Sequence, residues 1–192
     1  MRKLVVAVLV AITLSGVGLA HACVGKTLYV GITGAENEQL LAEMVSVLLA
    51  ERTGTTVKVV DYKNAGEMYQ AMRQGKLGLI IENTDRALDV MHLPKESSPQ
   101  VAYETVKREY RKSLNLVWLA PFGMIHGSGH PQLYAPVLST DTLGNLPALP
   151  KLLSKLSGIL NDGTSARLLR AVKGEEKPKT VARDFLKAKR LI

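Results

Sequence analysis

The chain has 192 residues, a formal net charge of +8, one cysteine and only 5% aromatic residues. A lone cysteine excludes an internal disulfide, and the lack of aromatic residues among the basic ones argues against a nucleic-acid-binding surface. The basic excess is concentrated in residues 151–192, which hold eleven Lys and Arg against four Asp and Glu. This excess is either the solvated face of amphipathic helices or a surface for an anionic partner such as lipid headgroups.

Residues 1–22 have the pattern of a secretory signal peptide. A positive start precedes an apolar run at residues 4–14, and Ala20-His21-Ala22 supplies small residues for a cleavage site. An N-terminal anchor helix is the alternative, but the apolar run is short for a membrane span. We therefore expect a periplasmic or otherwise exported domain over residues 23–192, with Cys23 leaving a lipid-anchored form open.

Strands and helices alternate along the next hundred residues. We predict strands at 27–32, 55–62, 77–81 and 114–121, separated by helices at 36–52, 64–75 and 100–114 and by a turn and short helix at 82–91. A short strand at 134–139 and helices at 149–156, 165–173 and 180–189 complete the chain. Because the strands are apolar on both faces, the pattern indicates an α/β fold, a three-layer αβα sandwich with a mostly parallel central sheet.

In such sheets, ligands bind beyond the carboxyl ends of the strands. The predicted ends are Ile32-Thr33-Gly34, Glu82-Asn83-Thr84 and Pro121-Phe122-Gly123. Glu82 and Thr84 either hydrogen-bond a polar ligand or cap the following helix. Thr33, Gly34 and the amides that follow offer an anion site at a helix start, for which the carboxylates of Glu36 and Glu38 compete.

Other candidates for chemistry are weak. Trp118 lies in an apolar run, which favours a core position over a stacking surface. His126 and His130 are four residues apart, but no third ligand is near them, so we expect no metal site. The sequence shows no Ser/His/Asp arrangement, no phosphate-binding glycine loop and no paired cysteines. We therefore expect neither an enzyme nor a cofactor.

Four segments occur in a familiar order: LYVGITGAENEQLLAEMVSVLLAERTG, NAGEMYQAMRQGKLGLIIENT, YETVKREYRKSLNLVWLAPFG and the tail from APVLSTDTLGN to the final Leu-Ile. Their order resembles that of the osmoprotectant-binding proteins of ABC importers, which bind glycine betaine, choline, carnitine and proline. The four segments cover nearly all of the chain after residue 22. The resemblance implies a type II periplasmic binding protein fold and, with the predicted strand ends, gives these candidate ligand-binding residues: Thr33, Gly34, Glu38, Gln39, Glu82, Asn83, Thr84 and Phe122.

Two departures from the family pattern affect the expected function. In that family the chain leaves the first lobe after the Trp-containing strand, builds a second lobe and returns, and the ligand lies between the lobes. Here residues 124–133, MIHGSGHPQL, connect the two segments directly, so we expect a single lobe closed by a Gly-rich turn. The family's aromatic cage for quaternary ammonium groups is also missing, since Asn83 stands at a ring position and Ile125-His126-Gly127 replaces Tyr and Asn.

Two functions remain open from the sequence. The chain is an exported solute-binding component that presents a small polar or quaternary ammonium solute to an ABC permease, without enzymatic activity. Alternatively, it is a single-lobe interaction module that has lost small-molecule binding and docks a protein partner or a second copy of itself. A single lobe encloses a ligand on one side only. The sequence also leaves open that a separate chain supplies the second lobe.

Overall fold

The computed structural model describes residues 27–96, 98–126, 131–174 and 176–192. The strands are β1 (Thr27–Ile32), β2 (Thr56–Asp61), β3 (Leu79–Asn83), β4 (Leu116–Trp118), β5 (Gly123–His126) and β6 (Pro131–Ser139). The helices are α1 (Glu36–Thr53), α2 (Ala65–Arg73), α3 (Thr84–Val90), α4 (Pro99–Ser113), α5 (Thr140–Asn145), α6 (Leu149–Leu153), α7 (Asp162–Lys173) and α8 (Pro178–Ala188). The predicted signal peptide and Cys23 lie outside the described residues.

The strands form one mixed sheet in the order β2-β1-β3-β6-β4. β5 pairs with the N-terminal part of β6, from Pro131 to Tyr134. β1 pairs in parallel with β2 and β3, whereas β6 runs antiparallel to β3, β4 and β5. Among the described strands, β6 is therefore the one that opposes the common direction. The prediction of a mostly parallel sheet is confirmed.

The core lies on both faces of this sheet. Because successive side chains of a strand point to opposite faces, Leu79 and Ile81 pack on one side and Ile80 on the other. Buried residues of α1, α7 and α8 cover the first face, and those of α2, α3 and α4 cover the second. The predicted three-layer αβα sandwich is thus confirmed.

Local sequence signals set several element ends. Asn64 caps α2, since its side-chain oxygen accepts the Glu67 N–H at 2.9 Å. Gly54 ends α1 in the left-handed region with φ 67°, and its N–H donates to the Ala50 carbonyl. Within the described residues, no helix is both long enough and apolar enough to cross a membrane.

The segment after β4 differs most from the prediction. β5 and β6 form an antiparallel hairpin in which Gly123 faces Tyr134 and His126 faces Pro131. The described residues of the predicted bridge 124–133 are therefore strand and not turn, whereas residues 127–130 lie outside the described part. That this bridge replaces a second lobe stays a prediction. Only Ile125 of β5 is buried, and four residues are too few for their alternation to indicate a strand.

Two other boundaries move functional residues. β3 runs from Leu79 to Asn83 rather than over 77–81, so Glu82 belongs to a buried strand and not to the turn that follows it. β4 keeps only three of the eight residues predicted for it. Helix α5, which the sequence analysis did not predict, begins at the Ser139 cap, whose hydroxyl accepts the Thr142 N–H at 3.1 Å.

Candidate functional site

The predicted strand ends meet at one edge of the sheet, called here the carboxyl edge. Ile32 at the end of β1 lies beside Asp61 at the end of β2. On the other side of β3, Asn83 pairs with Tyr134, and Tyr134 pairs in turn with Gly123. The edge therefore brings together segments that are distant along the chain, as expected for a site at the end of parallel strands.

The centre of the carboxyl edge is an ion cluster that consists of Thr33, Glu38, Glu82 and Arg86. The Arg86 Nη1–H donates to Glu38 Oε1 at 2.5 Å and to Thr33 Oγ1 at 2.6 Å. Its Nε–H donates to Glu82 Oε1 at 2.5 Å, and its Nη2–H donates to the Ile81 carbonyl at 2.7 Å. One guanidinium thus joins the ends of β1 and β3 to the first turn of α1.

The local sequence explains how Arg86 reaches this position. Asn83 caps α3 by accepting the Arg86 N–H at 2.9 Å, which places Arg86 in the first turn of the helix and one turn after Glu82. A positive charge in the first turn of a helix is unfavourable because it faces the positive end of the helix dipole. The carboxylates of Glu38 and Glu82 offset this cost.

The ion cluster is almost entirely buried. Glu38 is 1% exposed, Glu82 is fully buried and the Arg86 side chain is 17% exposed. Charges at such depth are stable only when paired and hydrogen-bonded. Burial raises the pKa of Glu82, although the charge of Arg86 pulls it down. Burial also opposes the charged form of Arg86, but Glu82 and Glu38 hold its pKa above the ordinary arginine value.

A line of buried aromatic rings extends from the ion cluster into the core. The Tyr69 hydroxyl donates a short hydrogen bond to Glu82 Oε2 and shares a 2.6 Å hydrogen bond with Tyr110. Tyr110 packs edge-on against Trp118 with ring centroids 5.4 Å apart, and Tyr103 also packs edge-on against Trp118 with ring centroids 6.0 Å apart. Burial raises the pKa of Tyr69, and the charge of Glu82 raises it further. Trp118 is 2% exposed, which confirms the core position predicted for it.

Four of the eight predicted ligand-binding residues contribute to the centre of the edge. Thr33, Glu38 and Glu82 belong to the ion cluster, and Asn83 holds the helix that carries Arg86. The Thr33 N–H donates to Glu38 Oε2 at 2.7 Å, so the carboxylate of Glu38 fills the place of an anion at the helix start. The predicted competition for that place is therefore confirmed for Glu38.

The other four predicted residues lie around the ion cluster without joining it. Gly34 has φ 78°, and a Cβ there would lie 3.2 Å from the Asp61 carboxylate. Gln39 turns along α1 and donates to Glu43 at 3.2 Å. Thr84 and Phe122 are fully buried; the Thr84 hydroxyl accepts the Leu133 N–H, and Phe122 packs in the core. That these eight residues bind a ligand stays a prediction.

Arg86 is the central residue that the sequence analysis missed. Two signals in the sequence point to it: its i, i+4 spacing from Glu82 and its position in the first turn of a predicted helix. Its contact with Glu38 spans 48 residues and depends on how α1 packs on the sheet, which no local pattern reveals.

A second polar contact lies at the start of α7. His126 Nδ1 is 2.5 Å from Asp162 Oδ2, and the His126 backbone N–H donates to Asp162 Oδ1 at 3.0 Å. Hydrogen bonding from His126 lowers the pKa of Asp162. His130 lies outside the described residues, and within the described ranges no three His, Cys, Asp or Glu residues come together in a way that would hold a metal ion.

The sheet, its two helical layers and the polar carboxyl edge define an α/β domain of the periplasmic binding protein type. Residues 26–129, more than half of the chain, match the substrate binding domain of ABC-type glycine betaine transport systems. The chain belongs to this family. A comparison with curated protein sequences found no match.

Solved structures support the same fold. A glycine betaine/carnitine/choline ABC transporter protein is similar with a TM-score of 0.76 at 12% identity, over 85% of this chain and 99% of the other. Apo YehZ from Escherichia coli has a TM-score of 0.71 at 15% identity, over 86% of this chain and 99% of the other. Lactococcal OpuAC, in its closed conformation with glycine betaine, has a TM-score of 0.53 at 9% identity, over 86% of this chain and 96% of its own.

Proposed function

We propose that the chain is an exported, non-enzymatic solute-binding component of an ABC-type osmoprotectant uptake system, which presents a small polar solute to a membrane permease. The observation that carries this proposal is the convergence of Thr33, Glu38 and Glu82 at the carboxyl edge in a chain of the glycine betaine-binding family. Sheets of this kind bind ligands at that edge. The N-terminal sequence supports export to the periplasm, with Cys23 as the residue that a lipid anchor would use.

Residues 23–192 would then act as one lobe. We propose that the β5–β6 hairpin stands where the family resemblance implies an inserted second lobe. β6 joins the hairpin to the rest of the sheet, with Tyr134 opposite Asn83 of β3. A small-molecule site normally encloses about 70–90% of its ligand, so a single lobe needs an opposing surface. We propose that the permease, a second copy of the chain or a separate lobe supplies it.

Calorimetric titration of the chain without residues 1–22 tests solute binding directly. Glycine betaine, choline, carnitine and proline are titrated in turn, and thermal unfolding is recorded with each. The proposal expects heat and a raised unfolding midpoint for at least one of them. Absence of both heat and a midpoint change with all four solutes would refute the proposal.

A second function is favoured by one specific observation. Arg86 already satisfies both buried carboxylates, and Thr84 and Phe122 are fully buried, so the carboxyl edge leaves few free groups for a solute. This supports an interaction module whose edge docks a protein partner or a second copy of the chain. Light scattering after size exclusion separates the two proposals: a tight dimer with no solute binding supports the module, and a monomer that binds solute contradicts it.

A further inference from the structure

We propose that Arg86 is a specificity-determining residue at the carboxyl edge: its guanidinium fills the space between Glu38 and Glu82 and closes these carboxylates to quaternary ammonium solutes. The position it occupies accepts only cations that carry N–H donors. The inference rests on the proposed function and deepens it, because it excludes quaternary ammonium solutes from contact with these carboxylates. Its test uses variants of Arg86 and is independent of whether the wild-type chain binds any solute.

The acceptors around Arg86 determine this selectivity. They are carboxylate oxygens of Glu38 and Glu82, the hydroxyl of Thr33 and the carbonyl of Ile81, and each accepts an N–H at 2.5 to 2.7 Å. A guanidinium offers five N–H donors in a fixed planar fork, which suits acceptors held by separate elements. The set therefore requires directed donors in addition to a positive charge.

A quaternary ammonium ion cannot replace this arrangement. Its nitrogen carries four carbon substituents and no N–H, so it would leave the acceptors desolvated and without donors. Each such buried, unpaired group is unfavourable. Trimethylated solutes are instead held by the faces of aromatic rings. The Tyr69 hydroxyl bonds to Glu82, but the rings of Tyr69 and Tyr110 pack in the core on the side of α2 and α4.

The covalent connection of the guanidinium to the chain keeps the position filled. Intramolecular binding gives Arg86 an effective concentration that a free cation must exceed in order to displace it. Glu38 and Glu82 are buried behind the guanidinium, so a solute reaches them only after Arg86 moves. Any solute that the wild-type chain binds at the carboxyl edge must therefore contact it outside these four acceptors.

Chemical rescue of Arg86→Ala tests the inference. Thermal unfolding is measured with increasing methylguanidinium chloride, at concentrations far below those that denature proteins, and with tetramethylammonium chloride at matched ionic strength. We expect Arg86→Ala to unfold at a lower temperature than wild type. Methylguanidinium should raise its midpoint saturably, as expected for binding to the native state, and tetramethylammonium should not. Arg108→Ala is the matched control, since that side chain is 69% exposed and pairs only with Glu109 in the described structure.

Two further measurements test the inference if Arg86→Ala does not fold without added cation. Its refolding yield should recover in methylguanidinium and not in tetramethylammonium. The double variant Arg86→Ala with Glu82→Gln has one buried charge fewer, and it should bind methylguanidinium several-fold more weakly than Arg86→Ala, because one charged acceptor is lost.

Three results would overturn the inference. The first is that methylguanidinium changes neither the stability nor the refolding yield of either Arg86 variant. The second is that methylguanidinium and tetramethylammonium stabilise Arg86→Ala equally. The third is that methylguanidinium stabilises Arg108→Ala as much as it stabilises Arg86→Ala. The inference would also be overturned if the wild-type chain binds glycine betaine and Glu38→Gln does not. That result would support the proposed function. Selective rescue of Arg86→Ala with no solute binding by wild type would support the inference and refute the proposed function.

Discussion

Replacing Tyr69 with Phe should destabilise the protein through one hydrogen bond to a buried carboxylate. The change keeps the ring and its packing but removes the hydroxyl that donates to Glu82 and bonds to Tyr110. A hydrogen bond to a charged group contributes about 1.5–3 kcal/mol, so we expect the free energy of unfolding to fall by roughly 2 kcal/mol. For a domain of this size, that lowers the unfolding midpoint by about 4–8 °C.

The pH dependence of this loss follows from Glu82. Its pKa in the folded state is raised by burial, and the hydrogen bond from Tyr69 works in the opposite direction. Tyr69→Phe therefore raises that pKa further above its unfolded value. Stability linked to a raised pKa is complete below the unfolded pKa and is lost as pH rises through the folded one. The difference between wild type and Tyr69→Phe should consequently be small in acid and grow as pH increases.

The assay uses the single tryptophan of the chain as its probe. Trp118 packs against Tyr110 in the same part of the core, so its fluorescence follows urea unfolding where the change is made. Tyr29→Phe is the control, because the Tyr29 side chain is 40% exposed, and its effect should stay within about 0.5 kcal/mol. A Tyr69→Phe protein as stable as the Tyr29→Phe control would refute the reasoning, as would a loss that is largest at acid pH.

Three further substitutions can be tested by the same urea unfolding. Gly123→Ala should lower the free energy of unfolding by about 3 kcal/mol or more, because a Cβ there would lie 1.9 Å from the Leu160 carbonyl oxygen. Gly144→Ala in helix α5 should instead raise it by about 0.5–1 kcal/mol, because a Cβ there would meet nothing within 4 Å. Equal effects of the two substitutions would contradict this reasoning. Asn83→Ala removes the cap of α3 and should cost about 1 kcal/mol, so an unchanged midpoint would argue against the cap. Phe122→Ala leaves a cavity in the core and should cost about 3–5 kcal/mol; a loss below about 1 kcal/mol would indicate that this ring is not a core residue.

The sequence predicts the fold correctly where neighbouring residues alone determine the local structure. β1 was predicted with its observed bounds because its β-branched and apolar residues are followed by a turn at Gly34. The start of α2 is equally local, because the Asn64 side chain caps it by accepting the Glu67 N–H. β5 was missed because strand pairing with β6 holds it in place, and its own four residues carry no apolar alternation long enough to detect.

The candidate site was predicted in part. The rule that ligands bind at the carboxyl ends of strands brought Thr33 and Glu82 to one place. It did not reveal that Arg86 would fill the space between Glu38 and Glu82, because that depends on the packing of two helix starts against each other. The backbone of Phe122 lies at the carboxyl edge as predicted, with its N–H donating to the Tyr134 carbonyl, but its ring packs in the core.

The place of β6 in the sheet has a consequence for biosynthesis. It is the last of the described strands to leave the ribosome, yet it lies between β3 and β4, which are synthesised earlier. In a nascent chain that ends before residue 131, the edges of β3 and β4 that face β6 have no strand to pair with. Such edges recruit strands from other molecules. Chaperone protection during synthesis should therefore be needed until about the time Ser139 emerges, and fragments that end within the hairpin should aggregate rather than form a half-sheet.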